Sequence, residues 1–142
     1  MISLLQLLDR KGRQVLSIGP DAPVLEAVRA MAERHVGALL VLDDGRLRGI
    51  VSERDYARKV VLQGRSSADT PVRDIMTAEV VFATPETTLH TAMHTMTQRR
   101  IRHLPVMTGD EIVGIVSIGD LVKAVIEAQQ SEIDQLHSYI RG

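Results

Sequence analysis

An internal repeat constrains this chain more than any other feature of its sequence. The segment GIVSERD at residues 49–55 recurs as GIVSIGD at residues 114–120, a shift of 65 residues. The same shift, without a gap, pairs further identical residues of the two copies: Val15 with Val80, Pro20 with Pro85, Ala27 with Ala92, Met31 with Met96, Leu39 with Leu104 and Val41 with Val106. This register predicts a tandem duplication of one supersecondary unit. A pseudo-twofold pair of such units would form two related clefts, each with the same Ser and Asp.

The composition argues against several classes of function. Of the 142 residues, 44% are hydrophobic and 25% are charged, a globular balance that allows one core or two packed half-cores. Aromatic residues make up only 2%, so the core must be aliphatic, and stacking platforms for single-stranded nucleic acid are disfavoured. A net charge of −1 gives no basic footprint for DNA or RNA. Because the chain has no cysteine, disulfides, thiol catalysis and thiolate metal sites are excluded.

The N-terminal residues do not resemble a targeting or membrane segment. No apolar run approaches the ~20 residues that a membrane-spanning helix needs. Residues 1–13 are partly apolar but lack the basic region and the small-residue cleavage site of a signal peptide. We therefore predict a short ordered arm at residues 1–13, no membrane association and a cytoplasmic location.

Hydrophobic periodicity predicts the same order of elements in each copy. In the first we expect a strand at 15–18, a helix at 23–35 with Gly37 near its C-cap, a hairpin of strands 38–42 and 47–51, and a helix from 52 to 62. In the second we expect a strand at 80–83, a helix at 88–100 capped by Thr87 or Thr88, a hairpin of strands 103–107 and 112–116, and a helix from Ser117. The prediction is an α/β fold with two strand–helix–strand–strand–helix repeats, at residues 14–63 and 74–128, joined by a linker at 64–73.

The last helix is predicted to continue as a C-terminal extension at residues 129–142. No Gly or Pro follows Asp120 until Gly142. Apolar and neutral residues recur there at alternating steps of four and three, as in a coiled-coil seam: Val122, Ile126, Gln129, Ile133, Leu136 and Ile140. Two interpretations stay open, a helix packed along its own domain and a helix docked on a second subunit.

The pairs Ser52 with Asp55 and Ser117 with Asp120 are the most informative polar residues. Each pair lies where a predicted buried strand turns into a helix. One interpretation is a capping box, in which the Ser and the acid satisfy free N–H groups of the helix. The other is a ligand site, because a helix N-terminus favours phosphate and a carboxylate can accept hydrogen bonds from the two hydroxyls of a ribose.

Several segments together resemble a known family. They are the hydrophobic-Pro-Val strand at residues 104–106, the Gly-Ile-Val-Ser-x-x-Asp ending of each repeat, and the sequence VRDIMT at residues 72–77. These resemble a pair of CBS (cystathionine-β-synthase) domains, a pseudo-twofold Bateman module, over roughly residues 8 to 128. Three further segments resemble stand-alone CBS-pair proteins of bacteria and plant organelles: SERDYARKVV at residues 52–61, RIRHLPV at 100–106 and YIRG at 139–142.

The resemblance implies adenine nucleotide binding in clefts between the repeats. It assigns the ribose hydroxyls to Asp55 and Asp120, with Ser52 and Ser117 beside them. It also implies that Arg102 and His103 flank adenine and phosphate, and that the segment containing Thr77 closes a cleft. The first repeat has Gly37 and Ala38 where the second has Arg102 and His103, so phosphate affinity is expected to differ between the clefts.

Other candidate sites are weaker. His90 and His94 are spaced by one helical turn, but no third metal ligand lies nearby in sequence, so we predict a solvent-facing pair and no metal site. Neither a Rossmann nor a P-loop glycine pattern is present, and no catalytic motif is visible.

The sequence therefore predicts a non-enzymatic sensor without an obligatory cofactor. Its ligand is expected to be an adenosine nucleotide (AMP, ADP, ATP or NAD(H)), and its occupancy is expected to be signalled to an effector protein that the sequence does not name. The alternative is a ligand-independent interaction module that regulates an enzyme or channel through its C-terminal helix. A homodimer is expected in either case, because the helices carry more apolar surface than one small sheet can cover.

Overall fold

The computed structural model describes residues 2–141. Met1, the first residue of the predicted arm, and Gly142, the last of the predicted extension, lie outside the described residues. In chain order the elements are α1 (Leu4–Lys11), β1 (Ser17–Ile18), α2 (Val24–Arg34), β2 (Ala38–Asp43), β3 (Arg46–Ser52), α3 (Glu53–Tyr56) with a π-helical turn (Ala57–Val61), a 3-10 turn (Val72–Asp74), α4 (Leu89–Arg99), β4 (His103–Thr108), β5 (Glu111–Ser117) and α5 (Ile118–Arg141).

The chain divides into two compact units, each built on one repeat. One comprises Gln14–Val81, and the other combines the residues up to Arg13 with those from Phe82 onward. The predicted α/β fold of two tandem repeats with a C-terminal helix is confirmed. The finer boundaries, with a separate arm, linker and extension, stay a proposal.

The core of the first-repeat unit is a three-stranded sheet packed on α2, with Val60 of the π-helical turn in the same cluster. β1 is parallel to β2, and β2 is antiparallel to β3. The β2–β3 hairpin turns at Asp44 and Gly45, both with positive φ (49° and 75°), as a tight hairpin of this hand requires. The apolar stripe of α2 packs on the sheet to form an aliphatic core, as the composition predicted: Val24, Ala27, Met31, Leu39, Val41 and Val51.

The second-repeat unit is built on the β4–β5 hairpin and includes the N-terminal helix. A Ser3–Gln6 capping box begins α1, in which three of the four leucines, Leu4, Leu7 and Leu8, are buried. Leu8 lies against Gly114 of β5. A Cβ added to Gly114 would be only 2.8 Å from Cδ2 of Leu8. The predicted ordered arm is therefore a helix that contributes to the core of this unit.

Some local predictions were wrong for physical reasons. The expected strand at 80–83 is reduced to one bridge between Ala83 and Val106, because so short a parallel segment gains few ladder bonds. The helix α2 does not use Gly37 as its cap but ends at His35, which adopts the left-handed conformation at φ 56°. Arg100, 65 residues later, ends α4 in the same way at φ 54°, while Thr88 caps its start as predicted.

The C-terminal part of α5 has no partner within residues 2–141. Leu121 and Ala124 are buried, but every residue from 129 to 141 is exposed. The apolar side chains of the predicted seam are 41–80% exposed: Val122, Ile126, Ile133, Leu136 and Ile140. Packing along its own domain therefore does not describe this part of the helix in the single chain.

Candidate functional site

In the first repeat, Ser52 and Asp55 form a closed hydrogen-bonded turn where β3 becomes α3. The backbone N–H of Ser52 donates to Asp55 Oδ2 at 2.9 Å, and the N–H of Asp55 donates to Ser52 Oγ at 3.2 Å. The Ser52 hydroxyl also donates to Oδ2 at 3.0 Å. This is the capping box that the spacing predicted, and it fixes the carboxylate at the end of the strand.

The second repeat has the same arrangement. The N–H of Ser117 donates to Asp120 Oδ2 at 2.8 Å, and the N–H of Asp120 donates to Ser117 Oγ at 3.1 Å. Both carboxylates are only partly exposed. The duplicated sequence therefore gives two equivalent, fixed carboxylates that can accept hydrogen bonds.

Arg102 and His103 lie beside the second carboxylate. The carbonyl of Arg102 accepts the N–H of Ile118 at 2.8 Å, and His103 pairs directly with Ser117 across the hairpin. The Arg102 side chain is exposed and that of His103 is half-buried. Four of the predicted site residues are therefore brought together in this unit.

Thr77 lies with the first-repeat site. Its N–H donates to the carbonyl of Ile50 at 2.9 Å, and its carbonyl accepts the N–H of Ile50 at 3.0 Å. Gly49 makes this close approach possible, because a Cβ there would lie 2.7 Å from the Thr77 carbonyl oxygen. The segment before the second repeat is thus held against the strand that ends at Ser52.

Sequence reasoning missed a lysine at each carboxylate. Lys11 Nζ lies 2.6 Å from Asp120 Oδ2 and donates to the carbonyl of Ile115 at 2.8 Å. Lys59 Nζ lies 3.2 Å from Asp55 Oδ1. The spacing of four residues on one helical segment could have indicated the pair of Lys59 and Asp55. Lys11 and Asp120 are 109 positions apart, and no local pattern indicates their contact.

These neighbours set the charge states of the second site. Burial by itself raises the pKa of Asp120, but hydrogen bonds from Lys11 and Ser117 outweigh it and hold this pKa below its ordinary value. Burial is the main cause that lowers the pKa of His103, and the charges of Lys11 and Arg102 lower it further against the opposing effect of Asp120. At neutral pH the site therefore holds an ionised carboxylate, two cations and a neutral imidazole.

The weaker candidates, His90 and His94, are both exposed on α4. Across residues 2–141, no three His, Asp or Glu side chains are grouped so that they could hold a metal ion. No helix in the same range is long and apolar enough to cross a bilayer.

Comparison with known proteins identifies the repeats. The family model of the CBS domain matches residues 11–62 and 72–127. The chain belongs to the CBS domain family. It is a tandem pair, because the two matches follow the duplication that the sequence shows.

Two similar proteins place this CBS pair more closely. The mitochondrial CBS domain-containing protein CBSX3 of Arabidopsis thaliana is 47% identical over 127 residues, which cover 86% of this chain and 62% of that protein. The chain thus spans less than two thirds of this relative's length, and a cytoplasmic location stays a prediction. A solved protein with CBS domains from Burkholderia ambifaria is 46% identical, with a TM-score of 0.87 over 90% of this chain and 96% of its own.

A more distant structure is informative for its ligands. The CBS domain pair of protein MJ0100, solved with 5′-methylthioadenosine and S-adenosyl-L-methionine, is 21% identical, with a TM-score of 0.80. The alignment covers 90% of this chain and 98% of that one. At this identity the match shows a shared fold.

Proposed function

We propose that this CBS pair is a regulatory module that binds an adenosine-containing nucleotide and signals its occupancy to a partner protein. AMP, ADP, ATP and NAD(H) all carry the required ribose and phosphate groups. The proposed contacts are those of Ser52, Asp55 and Thr77 in one unit and of Arg102, His103, Ser117 and Asp120 in the other. No catalytic step is part of this proposal.

The observation that carries the proposal is the free acceptor on the second carboxylate. Asp120 Oδ2 accepts bonds from Ser117 and Lys11, whereas Oδ1 accepts none from residues 2–141. A half-buried, ionised carboxylate with an open oxygen can accept a charge-assisted hydrogen bond from a sugar hydroxyl. The ligands of the MJ0100 pair support the choice of an adenosine group.

The charges of the second site favour a ligand with phosphate. Lys11 binds Asp120, the charges of Lys11 and Arg102 both act on His103, and the first repeat holds Gly37 and Ala38 in place of Arg102 and His103. A phosphate would therefore gain more in the second repeat, and this gain should weaken as salt rises.

A panel of ligands tests the proposal. Thermal shift and calorimetry with adenosine, AMP, ADP, ATP and NAD should show at least one ligand that binds, and AMP should bind more tightly than adenosine. A ligand at 100 times its dissociation constant stabilises the fold by about 2.7 kcal/mol. If no member of the panel shifts the unfolding transition, nucleotide sensing is refuted.

The exposed seam of α5 favours the second candidate function, a protein-interaction module. Apolar side chains also protrude from the π-helical turn and the residue after it, where Val61 is 57% and Leu62 is 75% exposed. Such apolar surface is typical of association sites. We propose a homodimer whose interface includes these surfaces, and ligand-independent docking of an effector is the function that remains if the panel fails.

A further inference from the structure

Lys11 binds one of the two oxygens of Asp120, the carboxylate that we propose as a ribose ligand. Its ammonium and the N–H of Ser117 both bind Asp120 Oδ2, at 2.6 and 2.8 Å. A single hydroxyl can reach Oδ1 without disturbing either bond. The second hydroxyl of a vicinal diol needs Oδ2, where it meets Lys11.

The repeat places Lys11 in an insertion. Leu8 packs on Gly114 as Met76 packs on Gly49, so these two positions correspond. Leu8 lies seven residues before Val15, whereas Met76 lies only four residues before Val80. The N-terminal segment is therefore three residues longer than the matching linker, and Lys11 falls within this longer stretch.

The insertion changes how one strand carbonyl is satisfied. In the first repeat the carbonyl of Ile50 accepts the backbone N–H of Thr77 at 2.9 Å. The matching carbonyl of Ile115 accepts the side chain of Lys11 at 2.8 Å. A flexible ammonium that also binds Asp120 thus replaces a fixed backbone donor.

The first repeat engages its carboxylate differently. Ser52 uses Asp55 Oδ2 and Lys59 uses Oδ1, so both oxygens are occupied. Lys59 comes from the same helical segment as Asp55, four residues later, and it also donates to the carbonyl of Ile75 at 2.8 Å. Only in the second repeat does the cation come from a separate helix, α1.

We propose that Lys11 is an internal competitor for Asp120, displaced from Oδ2 when the diol of a bound nucleoside takes that oxygen. This inference rests on the proposed function and names the element that responds to binding. Displacement breaks the bond that ties the end of α1 to α5, so ligand occupancy loosens the last turn of the N-terminal helix. The Lys11 side chain is 37% exposed, so it can move into solvent without a rearrangement of the core.

Calorimetry on Lys11→Met tests this competition. All proteins carry Asp55→Ala, so that only the second-repeat site is measured. A partly exposed ion pair contributes little, so its removal should raise adenosine affinity by about two- to fivefold. Binding of 2′-deoxyadenosine, which has one hydroxyl fewer, should not change, because Oδ1 is already free.

Matched variants separate competition from charge or folding effects. Arg10→Met removes a cation from the same helical turn and should leave adenosine affinity unchanged, while Lys11→Arg keeps the ion pair and should bind as the parent does. Hydrogen exchange gives an independent readout: adenosine should speed exchange of the Gly12 amide, which donates to Leu8 at 2.7 Å, in the parent but not in Lys11→Met.

The outcomes are distinguishable. If Lys11→Met binds adenosine no better than the parent, or gains equally for 2′-deoxyadenosine, competition for the diol is refuted while nucleotide binding stands. If the Asp55→Ala parent binds neither adenosine nor AMP, the proposed function of this site fails, and the competitor role fails with it.

Discussion

Replacing Asp120 separates its structural role from its proposed binding role. Asn keeps an oxygen that can accept the N–H of Ser117, so the cap is retained and we expect a stability loss below about 1 kcal/mol. The loss of the charge weakens each bond to a hydroxyl, since hydrogen bonds to charged groups contribute about 1.5–3 kcal/mol. Asp120→Asn should therefore lower nucleotide affinity roughly ten- to a hundredfold.

Asp120→Ala removes both functions. It removes the acceptor of the Ser117 N–H and one of the two acceptors of the Lys11 ammonium, which should cost about 1 kcal/mol for the cap and up to about 1 kcal/mol for the partly exposed ion pair. Its affinity should be at least as low as that of Asp120→Asn. The two variants should thus differ in stability more than in binding.

Calorimetry with AMP and urea unfolding, both in the Asp55→Ala background, measure the two effects. Asp110→Asn is the matched control, because it removes a carboxylate from the exposed β4–β5 turn of the same unit. The reasoning is refuted if Asp120→Asn binds AMP like the parent while Asp120→Ala is strongly destabilised. Asp120 would then be a cap and nothing more.

Three further perturbations follow from the structure. Because the folded state lowers the pKa of His103, the contribution of this residue to stability is complete above its ordinary pKa of about 6.5 and is lost as pH falls through the folded-state pKa. Urea unfolding from pH 7.5 to 5 should show this loss of stability. His103→Gln should flatten the plot of unfolding free energy against pH in that window. Gly49→Ala should destabilise by about 1–3 kcal/mol because the new methyl group meets the backbone carbonyl of Thr77. Gly114→Ala meets the side chain of Leu8, which can shift more easily than backbone, and should cost less; equal losses would contradict this. Light scattering at micromolar concentration should give a dimer, and a full-chain mass near 15.7 kDa would contradict this. Deletion of residues 131–142 should leave a less stable dimer if the helices of the repeats form the main interface. It should give a monomer if the seam of α5 forms the interface.

The elements that the sequence predicted well are those whose signals are local. The helices α2 and α4 carry a complete apolar stripe, and their observed bounds differ from the predicted ones by one residue or so at each end. The segment before α4 failed as a strand because its pairing depends on a distant partner: Ala83 bonds with Pro105 and Met107. Likewise, the left-handed residues His35 and Arg100 end these helices without the glycine that would have marked the position.

The site shows the same division between local and distant information. Ser117 and Asp120 are three residues apart and form a turn that the spacing alone predicts. Their contact with Lys11 depends on how α1 packs on β5, because buried leucines set the position of that helix. The sequence could indicate that a carboxylate would be fixed at this turn, but not which cation would reach it.

The duplication makes the two sites internal controls for each other. Both repeats fix a carboxylate by the same capping box, and both place a lysine within 3.2 Å of it. In the first repeat Lys59 lies on the same helical segment as the carboxylate, and its other contact is the carbonyl of Ile75. In the second, Lys11 ties the carboxylate to an element more than a hundred residues away in sequence. The same capping chemistry is therefore connected differently in each repeat, and a ligand bound as we propose at the second site would act on a helix that is distant in sequence.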